Sequence, residues 1–229
     1  MDLRQRWRDM TGDPVYVGPR TIEVIAVLML LLGVVAAVGG VGYAVNGATQ
    51  APGNVLVPVQ VQPPDGPDGM GISAPVPVEV AGVELPAGTW LRTADDGLLL
   101  VDGTGVPRWT GFLARGDAAL GGLAVGLCAF LLAPVLRAIA AGEPFRRGNA
   151  ARIAWTATTV LFTGFLAPLL PQLAALMVLD DLGLARAGSP FVLGMGFDLA
   201  PIGYSRLLFV VAEAFRRGTQ IADDTAGLV

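Results

Sequence analysis

The sequence predicts a mainly α-helical membrane protein: four transmembrane helices with a small β-rich extracytoplasmic insertion between the first and the second. Three observations carry that expectation. Ile22 to Val45 holds one charge, Glu23, followed by 22 residues with none. At about 1.5 Å per residue such a run crosses a hydrocarbon core of roughly 30 Å. Hydrophobic residues make up 53% of the 229 and charged ones 15%, with mean hydropathy +0.62, whereas soluble domains carry roughly 25% charged residues. The fifteen basic residues are all arginine, and most fall in segments that would share one side of a membrane.

The elements follow in order. The expected layout is an N-terminal cytoplasmic tail at 1–20, a first span at 21–45, an extracytoplasmic β-rich domain at 46–116 and a second span at 117–137. A cytoplasmic link at 138–152, a third span at 153–179, an outer loop at 180–190, a fourth span at 191–215 and a cytoplasmic tail at 216–229 complete it. The first run is too long for the apolar part of a signal peptide, and no clear A-x-A site follows it, so retention is expected. The second is Ala118–Leu136, between Asp117 and Arg137. The third contains Pro168 and Pro171, read as a kink near its outer end because membrane helices tolerate proline. The fourth is weaker and contains Asp198, Arg206 and Glu213.

Arginine distribution sets the expected orientation. Arg4, Arg6, Arg8 and Arg20 precede the first span; Arg137, Arg146, Arg147 and Arg152 lie between the second and third; Arg216-Arg217 follow the fourth. The long segment between spans one and two has only Arg92, Arg108 and Arg115, and the next outer loop only Arg186. The positive-inside rule therefore puts both termini and the 138–152 link in the cytoplasm of a bacterial cell, with the chain multi-pass in the plasma membrane.

The segment 46–115 is rich in proline and glycine. Val55, Val57, Val59 and Val61 alternate with Leu56, Pro58, Gln60 and Gln62, and Val76, Val78 and Val80 with Pro77, Glu79 and Ala81. Trp90–Thr93 and Leu98–Val101 flank a turn at Asp95-Asp96-Gly97. Period-two alternation between glycine turns predicts antiparallel strands. Pro58 and Pro77 cannot donate to a ladder, so their strands are expected at an edge or paired on one side. In the 138–152 link, Gly142 and Pro144 end the second helix, and Asn149 is a candidate N-cap for the third.

Composition excludes much chemistry. There is no histidine and no lysine, which removes the commonest general base, Schiff-base chemistry and the P-loop lysine. The single cysteine, Cys128, lies in an apolar run and reads as a small buried hydrophobe. No zinc-protease, CxxC or G-x-S-x-G pattern occurs. Asp95, Asp96 and Asp102 are explained by turns more simply than by calcium. No catalytic residue, metal or cofactor is expected, and the chain is not read as an enzyme.

Charges within spans are the candidates for function, because each costs about 2.5–3.5 kcal/mol at the bilayer centre on insertion scales. Arg206 is the deepest, with Asp198 two turns outward and Glu213 two turns inward; it either pairs across the bundle or lines a polar site. Glu23 and Glu213 sit near the inner face, where Arg20, Arg137, Arg216 or Arg217 are available as partners. Arg146, Arg147, Arg216 and Arg217 would face lipid headgroups or a cytosolic partner. Gly122 and Gly126, with Gly39, Gly40 and Gly42, favour close helix approach, within the chain or in a homo-oligomer.

One pattern recurs: Glu143-x-Phe145-Arg146-Arg147-Gly148 and Glu213-x-Phe215-Arg216-Arg217-Gly218. It reads either as a parallel repeat of two-helix units or as the common signature of helices leaving toward the cytoplasm.

Glu143-Pro144-Phe145 followed by Arg146-Arg147-Gly148-Asn149 and Arg152-Ile153, Asp198-Leu199-Ala200-Pro201, and Ala212 to Gly218 together resemble the bacterial membrane family catalogued as domain of unknown function 2975. That family has a G-(D/E)-P-F link before its third span, and D-L-x-x and A-E-x-F-(R/K)-x-G bracket its fourth. The resemblance extends over roughly residues 20–225. It implies a four-span protein without an established enzymatic activity, often encoded beside a small helix-turn-helix regulator. The tail Thr219 to Thr225 departs from the longer charged tail usual in the family. The expectation is a non-enzymatic sensory, regulatory or scaffolding protein. Its partners would be the lipid bilayer and a cytosolic DNA-binding regulator, with no direct nucleic-acid contact. The alternative is a small transporter or channel subunit with Arg206 and Asp198 lining its path.

Overall fold

The computed structural model describes residues 17–49, 55–61, 90–93, 99–103, 107–185, 191–192 and 198–226. Among these residues the elements are, in chain order, α1 (Pro19–Thr49), β1 (Val55–Val61), β2 (Trp90–Thr93), β3 (Leu99–Gly103), α2 (Arg108–Ala114), α3 (Gly116–Ala140), α4 (Asn149–Asp181), β4 (Phe191–Val192) and α5 (Ala200–Ala226).

α1 opens on Pro19, whose fixed φ suits the first helical position and whose missing N–H would have no partner there. Its large side chains point outward: Leu32, Val35 and Val38 are each about two-thirds exposed. Its buried residues are small ones, Ala26, Gly33 and Ala44. A helix with large apolar residues outside and small ones inside suits lipid, where backbones gain by close approach rather than by hiding leucines. α1, α3 and α4 are the described helices long and apolar enough to cross a membrane. α4 also carries Thr156, Thr158 and Thr159, whose hydroxyls donate to the carbonyls of Arg152, Ala154 and Trp155 at 2.9–3.0 Å. These hydroxyls therefore need no water. Pro168 and Pro171 lie inside α4, which continues past both to Asp181.

The expected architecture of four spans plus a β-rich insertion is corrected here. Three apolar spans are described, not four. The expected fourth span, 191–215, breaks down because Phe191 and Val192 form a strand and the helix starts only at Ala200. A Cβ on Gly164 would strike Pro201. α5 thus begins level with a point fifteen residues beyond Asn149, about 22 Å along α4. It carries Arg206, Glu213, Arg216 and Arg217, too many charges for an apolar window. Nor do the described residues form an independent β-rich insertion. The described strands are short, and the sheet, ordered β2-β3-β1-β4 and antiparallel throughout, takes its last strand from beyond α4. Val55, Val57 and Val59 bury their side chains with Ala174, Ala175, Val178 and Leu179 of α4. The sheet is therefore a cap on one end of the helices and shares their core. The 76–81 alternation and the Asp95-Asp96-Gly97 turn lie outside the described residues.

β1 pairs with β3 over Val55–Val59 and with β4 only over Gln60 and Val61. At Pro58 it is paired on the β3 side alone, which is what a residue without an N–H allows.

The helices form a row: α1 on α3, α3 on α4, α4 on α5, with α2 bridging α1 and α4 near the sheet. A second small core, of Val135, Ile153 and Ala212 with Phe215 against it, lies at the opposite end.

Candidate functional site

The end of the row away from the sheet gathers most of the described arginines. Its framework is the turn from α3 to α4. Gly142 takes φ +79, and the Glu143 N–H donates to Ala138 O at 2.8 Å, which closes α3 with a left-handed residue in place of a further turn. Gly148, at φ +94, occupies the cap position of α4 with no side-chain cap. Asn149, expected as that cap, is instead the first residue of the helix. Its side chain is fully buried and staples the turn. Nδ2 donates to Pro144 O at 3.0 Å, and Oδ1 accepts from Arg152 Nη1 at 3.2 Å.

The two copies of the recurring hexapeptide meet here. The Phe145 and Phe215 rings stand edge to face, 5.7 Å between centroids. Gly218 lies so close to Phe145 that a Cβ would enter the ring. The Thr219 hydroxyl donates at 2.9 Å to Phe145 O or to Phe215 O. The copies are not equivalent in structure, however. One forms the α3–α4 turn and the other lies inside α5, so a parallel repeat of two-helix units does not describe them.

α5 continues through the expected tail to Ala226. This extra length carries Asp223 to Arg147, at 3.1 Å. Glu213 accepts from Arg216 Nε at 2.6 Å and from Arg217 Nε at 2.8 Å. Hydrogen bonds from Arg216 first, then Arg217, hold its carboxyl down at about 2. Arg216 is raised in return by its bond to Glu213. A carboxylate fixed in its ionised form is a poor proton carrier near neutral pH. Between α4 and α5 lies a cavity of about 590 Å³. Ala150, Ala151, Ala154, Phe209 and Ala212 give it an apolar floor; Arg147, Glu213, Arg216 and Asp223 stand at its rim.

The other candidate charges are not brought together. Asp198 Oδ1 accepts from the Ala200 N–H at 2.8 Å and so starts α5. Arg206 is exposed on α5 with no ion pair among the described residues, while its neighbour Ser205 faces inward and donates to Ile202 O. Glu23 is exposed near the start of α1, also without an ion pair among the described residues. Arg146 is exposed in the turn. Among the described residues no three acidic or cysteine side chains converge as metal ligands.

Sequence reasoning missed the Asn149 staple, the Phe145–Phe215 contact and the Arg147–Asp223 pair. The recurring hexapeptide was the available signal for the second. It also missed Arg115, which lies over the Tyr43 ring at 4.7 Å near the sheet and has Nη1 buried without a hydrogen-bond partner. No family model, curated protein or solved structure matches the chain.

Proposed function

We propose that the chain is a non-enzymatic scaffold or regulator in a bacterial plasma membrane, with the arginine-rich end in the cytoplasm. The observation that supports this most is the cavity between α4 and α5. Its floor is alanine and phenylalanine, while its rim holds two arginines and two carboxylates that balance in charge. Such a groove suits an amphipathic protein segment, whose apolar side chains fill the floor and whose polar residues exchange with the rim. The arginine distribution supports the orientation. The resemblance in the Glu143–Ile153, Asp198–Pro201 and Ala212–Gly218 segments supports a helix-turn-helix regulator as the kind of partner. That last step is analogy with a family.

The experiment uses the full chain in detergent with the regulator encoded beside it. The regulator is expected to co-purify with the unaltered chain, and to be lost from Ala151→Trp, which fills the groove. Absence of the regulator from the unaltered chain, or undiminished retention by a folded Ala151→Trp chain, overturns the reading.

A further inference from the structure

The last turn of α3, the α3–α4 turn and the first turn of α4 enclose a separate cavity of about 310 Å³. Arg137, Arg146, Arg147 and Arg152 line it, and Glu143 is the only acid among its lining residues. Arginine stays protonated at any physiological pH, so four positive charges face one negative across a small space.

The described partners satisfy little of this charge. Arg147 is engaged by Asp223, and Arg152 gives one N–H to Asn149. Arg137 and Arg146 have no ion pair among the described residues. Arg137, Arg146 and Arg147 reach solvent, but the backbone that carries the turn is held. Glu143 N–H bonds to Ala138 O at 2.8 Å, Arg146 N–H to Glu143 O at 3.2 Å and Asn149 N–H to Arg146 O at 3.1 Å. The buried Asn149 side chain fixes Pro144 from below. The held turn thus brings four guanidinium groups to one small space, and such planar forks match the oxygens of a phosphate.

We propose that this cavity binds a phosphate-bearing anion, held by Arg137 and Arg146 with Arg147 and Arg152 in support. The rest of its wall is apolar, from Pro134 and Ala138 of the apolar helix α3 and from Ala141 just after it. A lipid headgroup and a soluble phosphate offer the same chemistry to the arginines, and only the lipid also uses that wall. This assignment does not depend on a protein partner in the α4–α5 groove.

The test takes the full chain in a neutral detergent and reads its melting midpoint. It is titrated with inorganic phosphate, with glycerol phosphate and with dihexanoylphosphatidylglycerol. A saturable rise with at least one of them is expected. A rise with the lipid alone identifies a headgroup site; a rise with the soluble anions as well identifies a soluble phosphate. Arg137→Gln with Arg146→Gln should weaken the apparent affinity about 10-fold or more, as expected for losing charge-assisted hydrogen bonds. Arg108→Gln, at the sheet end, should leave it unchanged. If the double variant shows no melting transition, Arg146→Gln alone, at an exposed position, is read in its place. No saturable rise with any of the three anions, unchanged affinity in the cavity variants, or an equal loss in Arg108→Gln would overturn the assignment.

Discussion

At Glu213, one carboxylate answers two guanidinium groups spaced three and four residues along the same helix. Its carboxyl lies at about 2 against an ordinary 4.5. A carboxyl depressed in the folded state contributes stability in full above its unfolded value. That contribution is lost as pH falls through the folded value. The Glu213 contribution should therefore be present above about 4.5 and fade between there and about 2. The pair is exposed to solvent, so the effect at neutral pH is modest and weakens with salt. Melting midpoints of the unaltered chain and of Glu213→Gln, followed from neutral pH downward, should differ most above 4.5 and converge near 2. Parallel curves over the whole range would show that the two arginines do not hold the carboxylate. Arg147 and Asp223 make the companion point: both were legible as charges, but their pairing depends on helix α5 extending beyond the expected span.

The helices show which contacts sequence could anticipate. The apolar run in α1 was readable because lipid demands it of any helix that crosses. Which glycines matter was not, because a neighbouring helix chooses the face. Gly40 meets Ala118 and Gly122, and Gly33 meets Ala129, whose Cβ would lie 2.6 Å from an added Cβ. Gly39 and Gly42, singled out for their clustering, face open space, while Gly47 packs on Gly111. The working glycines of α1 are thus Gly33, Gly40 and Gly47, a seven-residue repeat along one seam. Gly122→Val should destabilise the chain by about 1–3 kcal/mol through overpacking against α1, whereas Gly39→Val should change little. Denaturant or thermal unfolding in detergent, read side by side, decides; equal effects would remove the seam. α5 misled for the opposite reason. A window drawn from residue 191 averages a strand residue pair with a helix, and only the pairing of Phe191 and Val192 with β1 reveals the break.

At the scale of the whole molecule, the row α1–α3–α4–α5 has two chemically unlike ends. The sheet shares a valine and alanine core with one end of α4; the other end is a turn dense in arginine, clasped by the last helix. Hydropathy and arginine count anticipated that polarity, while the α4–α5 cavity arises between residues far apart in sequence, such as Ala151 and Ala212. If α1, α3 and α4 lie across a membrane, the end of α1 at Thr49 and the clasp at Gln220 must stand on opposite sides. Cys128 is the only native cysteine, so a Cys128→Ser chain gives a clean background for single labels. Thr49→Cys should react with an impermeant maleimide added outside intact cells. Gln220→Cys should react only after the inner face is opened, since the arginines accompany it inward. Labelling of both positions from the same side would separate the row from the bilayer, and with it the assignment of the arginine-rich end to the cytoplasm.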